Sequence, residues 1–519
     1  MNADSRAGPG EPIGRIIVLG GGSAGFLAAL ALKTKLPEID VTIIRSKDIG
    51  IIGVGEGTTP HMPWFLFGYL GLDQKEFHRL AEPTWKLGVK FLWGPRPYFN
   101  YTFTFPFDKR RPELPKPNGY YLWDDLEFAD PWSSLMTLDR AFLRRADGMP
   151  DLEGRSFGYH IENEKFVGYL EHQAEKTGVR IVDDTVTDVR RDDDGITGLQ
   201  LGSGGTCWAD LYVDCSGFRS IIISKTFAEP FLSFKSTLFC DRAMPGGWAR
   251  TDEPIKPYTT AETMNAGWCW QIEHEHRIIR GYVYSSDFIS DEAAERELRE
   301  KNPKIGPTRV VKFPPGRYRH TWVQNVVGIG NASGFVEPLE ATSLLNIGRE
   351  CHLLTELLIS SDRRPSSSCR ALYNKHDAQA WDEIRDFLGV HYRYNTRLDT
   401  EFWKACRHDV DIGEAQAFVE FYRENGPSLL ARRIFDHNQF LWGMDGYLTL
   451  LVGQCVSYQR PHQPARQELE TWNAVRERYR SMANSGVDIA EALAAVRSPA
   501  WKWDAETYRR PFQPPFAPE

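Results

Sequence analysis

The stretch Ile16–Leu32 reads IIVLGGGSAGFLAALAL and joins two apolar runs through three adjacent glycines. The first run, Ile16–Leu19, is short and ends at glycine, which predicts a buried strand. The second run is long enough for a helix, and its predicted start lies near Ala24. A strand, a glycine turn and a helix in this order predict the first half of a βαβ unit.

The turn itself fits the G-x-G-x-x-G pattern of dinucleotide-binding proteins. In that pattern Gly20 permits the tight turn, Gly22 lets the backbone approach a pyrophosphate, and Gly25 lets the helix pack closely on the strand. The helix N-terminus adds free N–H groups and the positive end of its dipole. The residues predicted to contact the cofactor here are Gly20, Gly22, Ser23, Ala24 and Gly25.

The same letters also spell G-x-S-x-G, the nucleophile elbow of α/β-hydrolases, with Ser23 as the nucleophile. An elbow needs an earlier strand–helix loop to supply part of its oxyanion hole, and Ile16 begins the first predicted strand. The dinucleotide interpretation is therefore favoured, and the hydrolase stays as an alternative.

The composition is that of a folded globular protein. Of the 519 residues 41% are hydrophobic and 25% charged, and the net charge of −8 argues against a nucleic-acid-binding protein. The eight cysteines include no C-x-x-C pair, which favours reduced thiols over a disulfide framework or a zinc site. No other apolar run approaches the roughly 18 residues of a membrane span. We expect a cytoplasmic protein that binds neither nucleic acid nor membrane.

The second strand of the unit is predicted at Val41–Arg45. Arg45 lies about 20 residues past the last glycine, where an acidic residue usually binds the ribose hydroxyls. It could instead face a phosphate or an adenine ring. The loop at residues 50–60, GIIGVGEGTTP, is either a surface turn or a strap that covers the cofactor. Gly55 and Glu56 in this loop are further predicted cofactor contacts.

Two later strands also end in glycine. Leu211–Val213 leads into Asp214-Cys215-Ser216-Gly217, and Asn325–Ala332 contains Gly330. With the first strand they outline a flavin-type fold in which FAD crosses one sheet. No second G-x-G-x-x-G follows a strand, so reduced flavin is expected to arrive from outside. The predicted cofactor contacts in these segments are Asp214, Gly217 and Gly330.

The stretch 85–93, WKLGVKFLW, predicts one strand on which Lys86 and Lys90 share a face. A lysine on such a strand usually lies in solvent. Residues 94–150 are rich in proline and aromatic side chains, which predicts an insertion that lines a cleft. The segment 274–276, His-Glu-His, has no third ligand at a fixed spacing, so we expect a solvated hairpin tip and no metal site.

The pattern as a whole predicts an α/β protein of two modules. Residues 1–360 form an FAD-binding, Rossmann-like module of the glutathione-reductase type, and residues 361–519 form a mostly helical substrate-binding module. The predicted linker between them is Ser360–Cys369, SSDRRPSSSC. The helices predicted beyond it are Ala371–Leu388, Gly413–Glu424, Asn438–Gln454 and Arg466–Ser481.

Seven motifs together resemble the flavin-dependent tryptophan halogenase family, over a range from about Gly14 to beyond Trp403. The specific feature is a W-x-W-x-I element combined with a lysine in the strand after the GVGE loop. The matching segments are GGGSAG (20–25), GVGEGTTP (53–60), WKLGVKF (85–91), DCSG (214–217), WCWQI (268–272), GNASGFVEPLEATS (330–343) and RDFLGVHY (385–392).

The resemblance implies an enzyme that uses FADH₂, O₂ and a halide, chloride or bromide, to make hypohalous acid. Lys86 matches the lysine that presents this oxidant to an aromatic carbon, as a haloamine or as hydrogen-bonded HOX. An amine with a lowered pKa in a dry tunnel suits that role. Glu340 matches a glutamate that orients the oxidant or accepts the arenium proton. The alternative for Glu340 is a carboxylate that caps the following helix.

Further matching positions surround these two residues. Thr342 and Ser343 match the segment whose backbone N–H groups hold the halide. Trp268 and Trp270 match a pair that keeps the substrate away from the flavin, or they are simply core residues. The partners implied are a separate NAD(P)H-dependent flavin reductase and a small aromatic substrate, and homodimer formation stays open.

Three departures from the family pattern concern the substrate. Glu273 follows the W-x-W-x-I element where the family has proline, and Ser343 stands where tryptophan-specific members usually have glycine. Phe105-Pro106-Phe107 replaces their His-Pro-Phe element. We therefore expect indole, a tryptophan derivative or another electron-rich aromatic rather than free tryptophan. A flavin-dependent aromatic hydroxylase and a non-catalytic FAD-binding protein remain alternatives.

Overall fold

The structure is a computed structural model that describes residues 11–50, 55–108, 111–122, 125–152, 156–434, 442–504 and 507–508. Of the predicted strap, residues 51–54 lie outside the described residues, and so do residues 438–441 of the predicted helix Asn438–Gln454.

The described strands are short and numerous. They are β1 (Arg15–Leu19), β2 (Asp40–Arg45), β3 (Glu56–Gly57), β4 (Thr84–Lys86), β5 (Gly88–Leu92), β6 (Phe99–Thr102), β7 (Gly158–Ile161), β8 (Arg180–Asp183), β9 (Val186–Asp192), β10 (Gly195–Leu201), β11 (Thr206–Cys207), β12 (Leu211–Asp214), β13 (Phe231–Ser233), β14 (Arg242–Ala249), β15 (Thr259–Met264), β16 (Gly267–Glu273), β17 (Arg277–Tyr284), β18 (Val311–Lys312), β19 (Gly316–Tyr318), β20 (Trp322–Val323), β21 (Val326–Gly328) and β22 (Gly334–Phe335).

Helices dominate the second half of the chain. They are α1 (Ser23–Lys35), α2 (His61–Pro63), α3 (Gln74–Leu80), α4 (Pro131–Thr137), α5 (Asn163–Thr177), α6 (Asp291–Lys301), α7 (Thr342–Ser360), α8 (Ser367–Arg393), α9 (Glu401–Asp409), α10 (Ala415–Asn425), α11 (Gly443–Gly453), α12 (Arg466–Asn484) and α13 (Ile489–Arg497). Single turns of 3₁₀-helix lie at Pro106–Asp108, Gly217–Arg219 and Gly330–Ala332, with a longer one at Leu429–Arg433, and π-helices at Trp64–Tyr69 and Ile221–Thr226.

Six of the described strands form the sheet that the first glycine turn predicts. Their order is β20-β21-β12-β1-β2-β8, and the five strands from β21 to β8 run parallel. Val18 of β1 pairs with Ile43 on one side and Val213 on the other, so β1 is central and buried. This topology confirms the Rossmann-like parallel module.

Helix α1 covers this sheet and is buried almost all round. Every residue from Gly25 to Leu32 is buried, because α5 and α7 pack on the sides of α1 that the sheet leaves open. This burial explains why the sequence of α1 is apolar throughout rather than amphipathic.

A second sheet has seven described strands in the order β18-β14-β17-β16-β15-β5-β6. Its neighbours are antiparallel except for β15 and β5. A separate core of buried side chains joins this sheet to α8, α10 and α11. The sheet therefore supports the helical part of the chain as well as the first module.

The stretch 85–93 is not the single strand that its pattern predicts. It breaks at Leu87, whose N–H donates to the carbonyl of Pro257, 2.7 Å away. β4 then pairs with β7, whereas β5 pairs with β6 and β15. Lys86 and Lys90 consequently lie in different sheets, and the prediction that they share a face was wrong.

The mostly helical C-terminal region is confirmed, with α8, α10, α11 and α12 at the predicted helices and two further short helices, α9 and α13. A connection at 361–366 precedes α8. Arg317 forms an ion pair with Asp382 of α8 at 2.9 Å, and the Thr321 hydroxyl donates to Asp377 of α8 at 2.7 Å. These contacts attach α8 to the first module. The module boundary at 360 stays a prediction.

Candidate active site

The turn between β1 and α1 has the close glycine packing that its G-x-G-x-x-G sequence predicts. Gly20 has φ +129°, and a Cβ there would lie 2.2 Å from the Cys215 carbonyl oxygen. A Cβ on Gly25 would lie 1.9 Å from the Gly20 carbonyl oxygen. A Cβ on Gly22 would meet nothing within 4 Å. Two glycines thus allow close packing, and Gly22, the N-cap of α1, faces open space before the N–H groups of Ser23 and Ala24.

Arg45 lies beside this turn at the end of β2. Its aliphatic stem packs against Gly21, where an added Cβ would lie 2.6 Å from the Arg45 Cβ. Its guanidinium forms an ion pair with Glu171 of α5. The charge of Arg45 is therefore already paired within the protein, and a contact with the cofactor stays a prediction.

Asp214 ends β12 and shapes the second predicted cofactor segment. One of its carboxylate oxygens accepts from the N–H and the hydroxyl of Ser216, at 3.0 and 2.6 Å. The other accepts from the N–H groups of Ile222 and Ile223, at 2.8 and 3.1 Å. These four donors assign Asp214 to building the turn that precedes Gly217.

The third glycine-ended segment is held by a residue that the sequence did not single out. The N–H of Gly330 donates to the buried carboxyl of Glu350, 2.7 Å away, and the Ser333 hydroxyl donates to the same carboxyl. Burial, together with the nearby carboxyl of Asp377, raises the pKa of Glu350 well above its usual range. Glu350 thus fixes the turn from the first part of α7.

Lys86 is buried, which is unusual for a lysine. It is 1% exposed, its Nζ lies 5.3 Å from the centre of the Phe103 ring, and a Cβ on Gly57 would lie 3.0 Å from Nζ. No hydrogen bond or ion pair of Nζ is found among the residues that the structure describes. Burial lowers the pKa of Lys86 to about 8, against the opposing effect of the charge on Glu340.

Neutral groups surround the amine on the side of the predicted strap. His160 is fully buried, its Nε2 lies 2.8 Å from the Thr259 hydroxyl, and burial followed by the charge of Lys86 holds its pKa well below the usual range. His274 is also buried, and its pKa falls to about 3 because of that burial. The prediction of a solvated hairpin tip was therefore wrong for His274, which packs against Gly55.

Glu56 in the strap is held next to this region. Asn163 donates to its carboxyl at 3.0 Å, and burial raises the pKa of Glu56 to about 7. The β3 residues Glu56 and Gly57 pair with Ile161 and His160 of β7. The described part of the strap is thus anchored to the same small sheet, β3-β7-β4, that carries Lys86.

Glu340 lies directly before α7 and is almost fully buried. The N-cap residue that follows it, Ala341, has φ +56°, an unusual conformation for a residue with a side chain. One Glu340 carboxyl oxygen lies 2.8 Å from Nε2 of His391 on α8. The hydrogen-bond partner found for the Glu340 carboxyl is therefore His391 and not an N–H group at the α7 N-terminus, and the role of Glu340 stays a prediction.

Thr342 and Ser343 are the first two residues of α7, a helix of 19 residues. The first turn of α7 contains no acidic residue. The dipole and the free N–H groups of this turn are therefore unopposed by negative charge there, which suits an anion.

Trp268 and Trp270 lie next to each other on β16, with ring centres 6.1 Å apart. Trp268 donates from Nε1 to Glu337 at 3.0 Å, and the hydroxyl of Tyr392 donates to the same carboxyl oxygen. Burial raises the pKa of Glu337 to about 7. Trp270 lies over Gly281 of the neighbouring strand, where a Cβ would lie 1.9 Å from the indole.

The three residues Phe105-Pro106-Phe107 do not share one environment. Phe107 is fully buried, stacks on Tyr120 with ring centres 3.9 Å apart, and donates its N–H to Asp445 at 2.7 Å. Phe105 is 36% exposed. The aromatic ring found over the Lys86 amine belongs to Phe103, two residues before this element.

Sequence reasoning missed Glu337, Glu350, His391 and Tyr392 as residues of the site. Three of them lie in or beside motifs of the sequence, EPLE at 337–340 and HY at 391–392, and Glu350 lies on the helix that EPLE precedes. Glu340 lies at hydrogen-bond distance from His391, and Glu337 accepts a hydrogen bond from Tyr392, so each glutamate of EPLE has one partner on α8. A polar pair in an otherwise apolar helix segment, FLGVHY, marks such a buried contact.

The sequence matches the tryptophan halogenase family over residues 15–470, and the chain belongs to that family. It is 30% identical to tryptophan 7-halogenase RebH of Lentzea aerocolonigenes, with 93% of this chain and 98% of RebH covered. Among solved structures it is similar to MibH, a lathipeptide tryptophan 5-halogenase, at 38% identity and a TM-score of 0.85, with 94% of each chain covered. BrvH, a flavin-dependent halogenase from Brevundimonas sp. BAL3, has 26% identity and a TM-score of 0.82, over 93% of this chain and 99% of BrvH.

These similarities confirm the FAD-binding α/β fold and the assignment to the halogenase flavoproteins. Within the part of the chain that the structure describes, no helix combines the length and the apolar character needed to cross a membrane.

Proposed function

We propose that this protein uses FADH₂, O₂ and chloride or bromide to halogenate an electron-rich aromatic ring, and that Lys86 delivers the oxidised halogen. The observation that carries the proposal is the buried amine of Lys86, whose pKa of about 8 leaves about 9% of the amine neutral at pH 7. A neutral amine can be halogenated or can donate a hydrogen bond to HOX.

The residues around the first glycine turn fit FAD. Gly22 leaves room for a pyrophosphate, and the N-terminus of α1 supplies N–H groups toward it. Gly217 and Gly330, with φ +67° each, end the two neighbouring segments of the same sheet. When bound as FADH₂, the cofactor would supply the hypohalous oxidant from O₂ and halide. The N-terminus of α7 at Thr342 and Ser343 would hold the halide.

The chain's own residues then control where the oxidant reacts. Lys86 lies among Phe103, Gly57 and the neutral His160, so water has little access to its amine. Glu340 is the carboxylate that would orient the oxidant or accept the proton from the ring. Trp268 and Trp270, fixed through Glu337 and Gly281, would separate the substrate from the cofactor.

Reduced flavin is proposed to come from a separate NAD(P)H-dependent reductase. The support for this is that no second G-x-G-x-x-G follows a strand in the sequence. We also propose that residues 1–360 bind the cofactor, because the glycine turns at 20–25, 217 and 330 lie there, and that the mostly helical residues 361–519 bind the substrate.

The proposed substrate carries an indole, either free or as part of a larger molecule. RebH is named a tryptophan 7-halogenase and MibH a lathipeptide tryptophan 5-halogenase, and this chain is 30% identical to the first and 38% identical to the second. The replacement of His-Pro-Phe by Phe105-Pro106-Phe107 and the burial of Phe107 support a ring-binding pocket unlike that for free tryptophan. A tryptophan side chain within a peptide is therefore included among the proposed substrates.

The test is reconstitution with a flavin reductase, FAD, NADH and either halide, with product mass read against a panel of indoles, phenols and tryptophan-containing peptides. We expect a halide-dependent mass increase that Lys86→Met abolishes. The matched control is Lys90→Met, in the next strand, which removes another lysine with a pKa near 8. A hydroxylated product that forms without halide and survives Lys86→Met would refute the proposal in favour of a monooxygenase.

A further inference from the structure

The motif RDFLGVHY at 385–392 has no part in the function proposed above, although its last two residues reach the site. His391 is fully buried on α8, and its two ring nitrogens have different partners. Nδ1 lies 2.9 Å from the carbonyl oxygen of Phe387, one turn back along the helix. Nε2 lies 2.8 Å from Oε1 of Glu340.

The partners settle where protons lie. A carbonyl oxygen only accepts hydrogen bonds, so Nδ1 of His391 carries a proton. A neutral imidazole with Nδ1–H has a lone pair on Nε2, and a lone pair does not approach a carboxylate oxygen at 2.8 Å without a proton between them. One proton is therefore shared between His391 and Glu340.

The remaining surroundings of His391 are apolar. Its ring packs against Phe91 at 5.3 Å, Phe387 at 5.0 Å and Trp93 at 6.1 Å between ring centres. Its Nδ1 proton faces a helix carbonyl that cannot pass it on. His391 consequently offers no path for a proton to solvent, and its shared proton can move only toward Glu340.

The charged and titratable groups that act on Glu340 come from other elements. Lys86 of β4 lies on one side, and its pKa responds to the Glu340 charge. Tyr101 of β6 lies on another, and burial together with that charge raises its pKa well above the usual range. Among the described residues Oε2 of Glu340 has no hydrogen-bond partner. Oε2 is therefore the oxygen available to a substrate.

We propose that His391 is a positioning residue that clamps Oε1 of Glu340 through the shared proton and aims Oε2 at the ring carbon that has received the halogen. The inference rests on the proposed function. In the step concerned the C–H bond at that carbon breaks, its electron pair restores the aromatic ring, and the proton goes to Oε2. Because His391 cannot pass a proton on to solvent, the proton taken up at Oε2 later leaves Glu340 on the substrate side.

The test replaces His391 with Phe, which retains a ring among aromatic neighbours, and with Gln, whose amide can still donate to Glu340. For His391→Phe we expect kcat for halogenation to fall by about 10- to 100-fold, with KM nearly unchanged, because a misplaced catalytic group costs rates of that order. Ring-deuterated substrate should then react more slowly than protiated substrate, since deprotonation becomes limiting. His391→Gln should recover most of kcat.

The isotope effect is a readout that loss of packing alone would not move. The matched control is His78→Phe, which removes another buried imidazole from an aromatic cluster, between Trp85 and Trp503. This control should not show the isotope effect.

The failures are distinguishable. If His391→Phe keeps the wild-type kcat and isotope effect while Glu340→Gln is inactive, the inference is overturned and the proposed function stands. If Glu340→Gln is fully active, the proposed role of Glu340 fails first. Should His391→Phe not fold, ¹⁵N-histidine NMR of the wild type decides, because the inference requires a protonated Nδ1 on His391 and is overturned by an unprotonated one.

Discussion

Replacing Lys86 by methionine should stabilise the protein at neutral pH while it abolishes halogenation. The ammonium of Lys86 is buried next to Phe103 with no hydrogen-bond partner among the described residues, so folding takes a charge out of water. Methionine has nearly the same length and is uncharged. The variant therefore removes an unfavourable buried charge and leaves the packing largely intact.

The size of the effect follows from the pKa of Lys86. A fall from 10.5 in the unfolded chain to about 8 in the fold corresponds to about 3 kcal/mol. The penalty is fully present below pH 8, where both states hold the proton. It disappears as pH rises toward 10.5, because the unfolded state then binds more protons than the folded state. The stability gap between variant and wild type should be about 3 kcal/mol at pH 7 and about 1.4 kcal/mol at pH 9.5.

The assay is equilibrium urea unfolding of wild type and Lys86→Met at both pH values, with equal m-values required for the comparison. Lys90→Met is the control. The Lys90 amine donates to the Met136 carbonyl and the Tyr258 hydroxyl, at 3.1 and 2.9 Å, and leaving those groups unpaired costs about 1–3 kcal/mol, which offsets the gain. A Lys86→Met variant less stable than the wild type at pH 7, or a gap that stays constant with pH, would refute the reasoning.

Three further predictions concern the same site. The neutral form of Lys86 rises from about 9% of the population at pH 7 to about 91% at pH 9. If this form reacts, kcat for halogenation should rise about tenfold over that range in stopped-flow or single-turnover measurements. A kcat that does not change with pH would favour hydrogen bonding to HOX. Gly22→Ala should fold normally but bind FAD at least tenfold more weakly in a fluorescence titration. Gly25→Ala should fail to fold, because its Cβ would lie 1.9 Å from a carbonyl oxygen. An unchanged FAD affinity in Gly22→Ala would contradict the cofactor assignment. Tyr392→Phe removes one of the two donors to the buried carboxyl of Glu337 and should lower the free energy of unfolding by about 1–3 kcal/mol. The loss should grow as pH rises through 7, because the carboxyl of Glu337 then ionises. A loss that does not change with pH would exclude the lost hydrogen bond to Glu337 as its cause.

The cofactor half of the fold could be predicted because its requirements are local. Gly20 and Gly25 are needed for contacts within a single turn, and the strand and helix on either side are continuous in sequence. The later strands that end near Gly217 and Gly330 could be placed in the same sheet, because each ends in glycine like β1 and the carboxyl ends of parallel strands lie at one edge of a sheet. The prediction of a parallel sheet therefore needed no long-range information.

The environment of Lys86 could not be derived in the same way. Its strand breaks because Leu87 bonds to Pro257, a residue from a distant part of the chain, and a period-two pattern carries no sign of that partner. His274 likewise lies close to Gly55 of the strap, where a Cβ would be 3.0 Å from its Nε2, and the sequence carries no sign of that contact. The family resemblance pointed to Lys86, but the exclusion of water from its amine follows only from tertiary contacts.

Helix α8 follows the predicted linker but packs against residues that precede it. The connection at 361–366 is polar and short, and the pattern there suggests a boundary between a cofactor part and a substrate part. Yet α8 returns to the first part, where Asp377 meets Thr321 and Asp382 meets Arg317. These contacts fix the direction of the helix.

The far end of α8 then carries His391 and Tyr392 to Glu340 and Glu337. A carboxylate held from one helix and presented by the start of another keeps its position only if both helices keep theirs. Because Glu340 precedes α7 and its partner lies on α8, the orientation of the proposed base depends on the packing of α8 on the first module. The proposed active site therefore takes residues from both proposed modules, and a change in the α8 contacts at Asp377 or Asp382 would displace Glu340 without touching it.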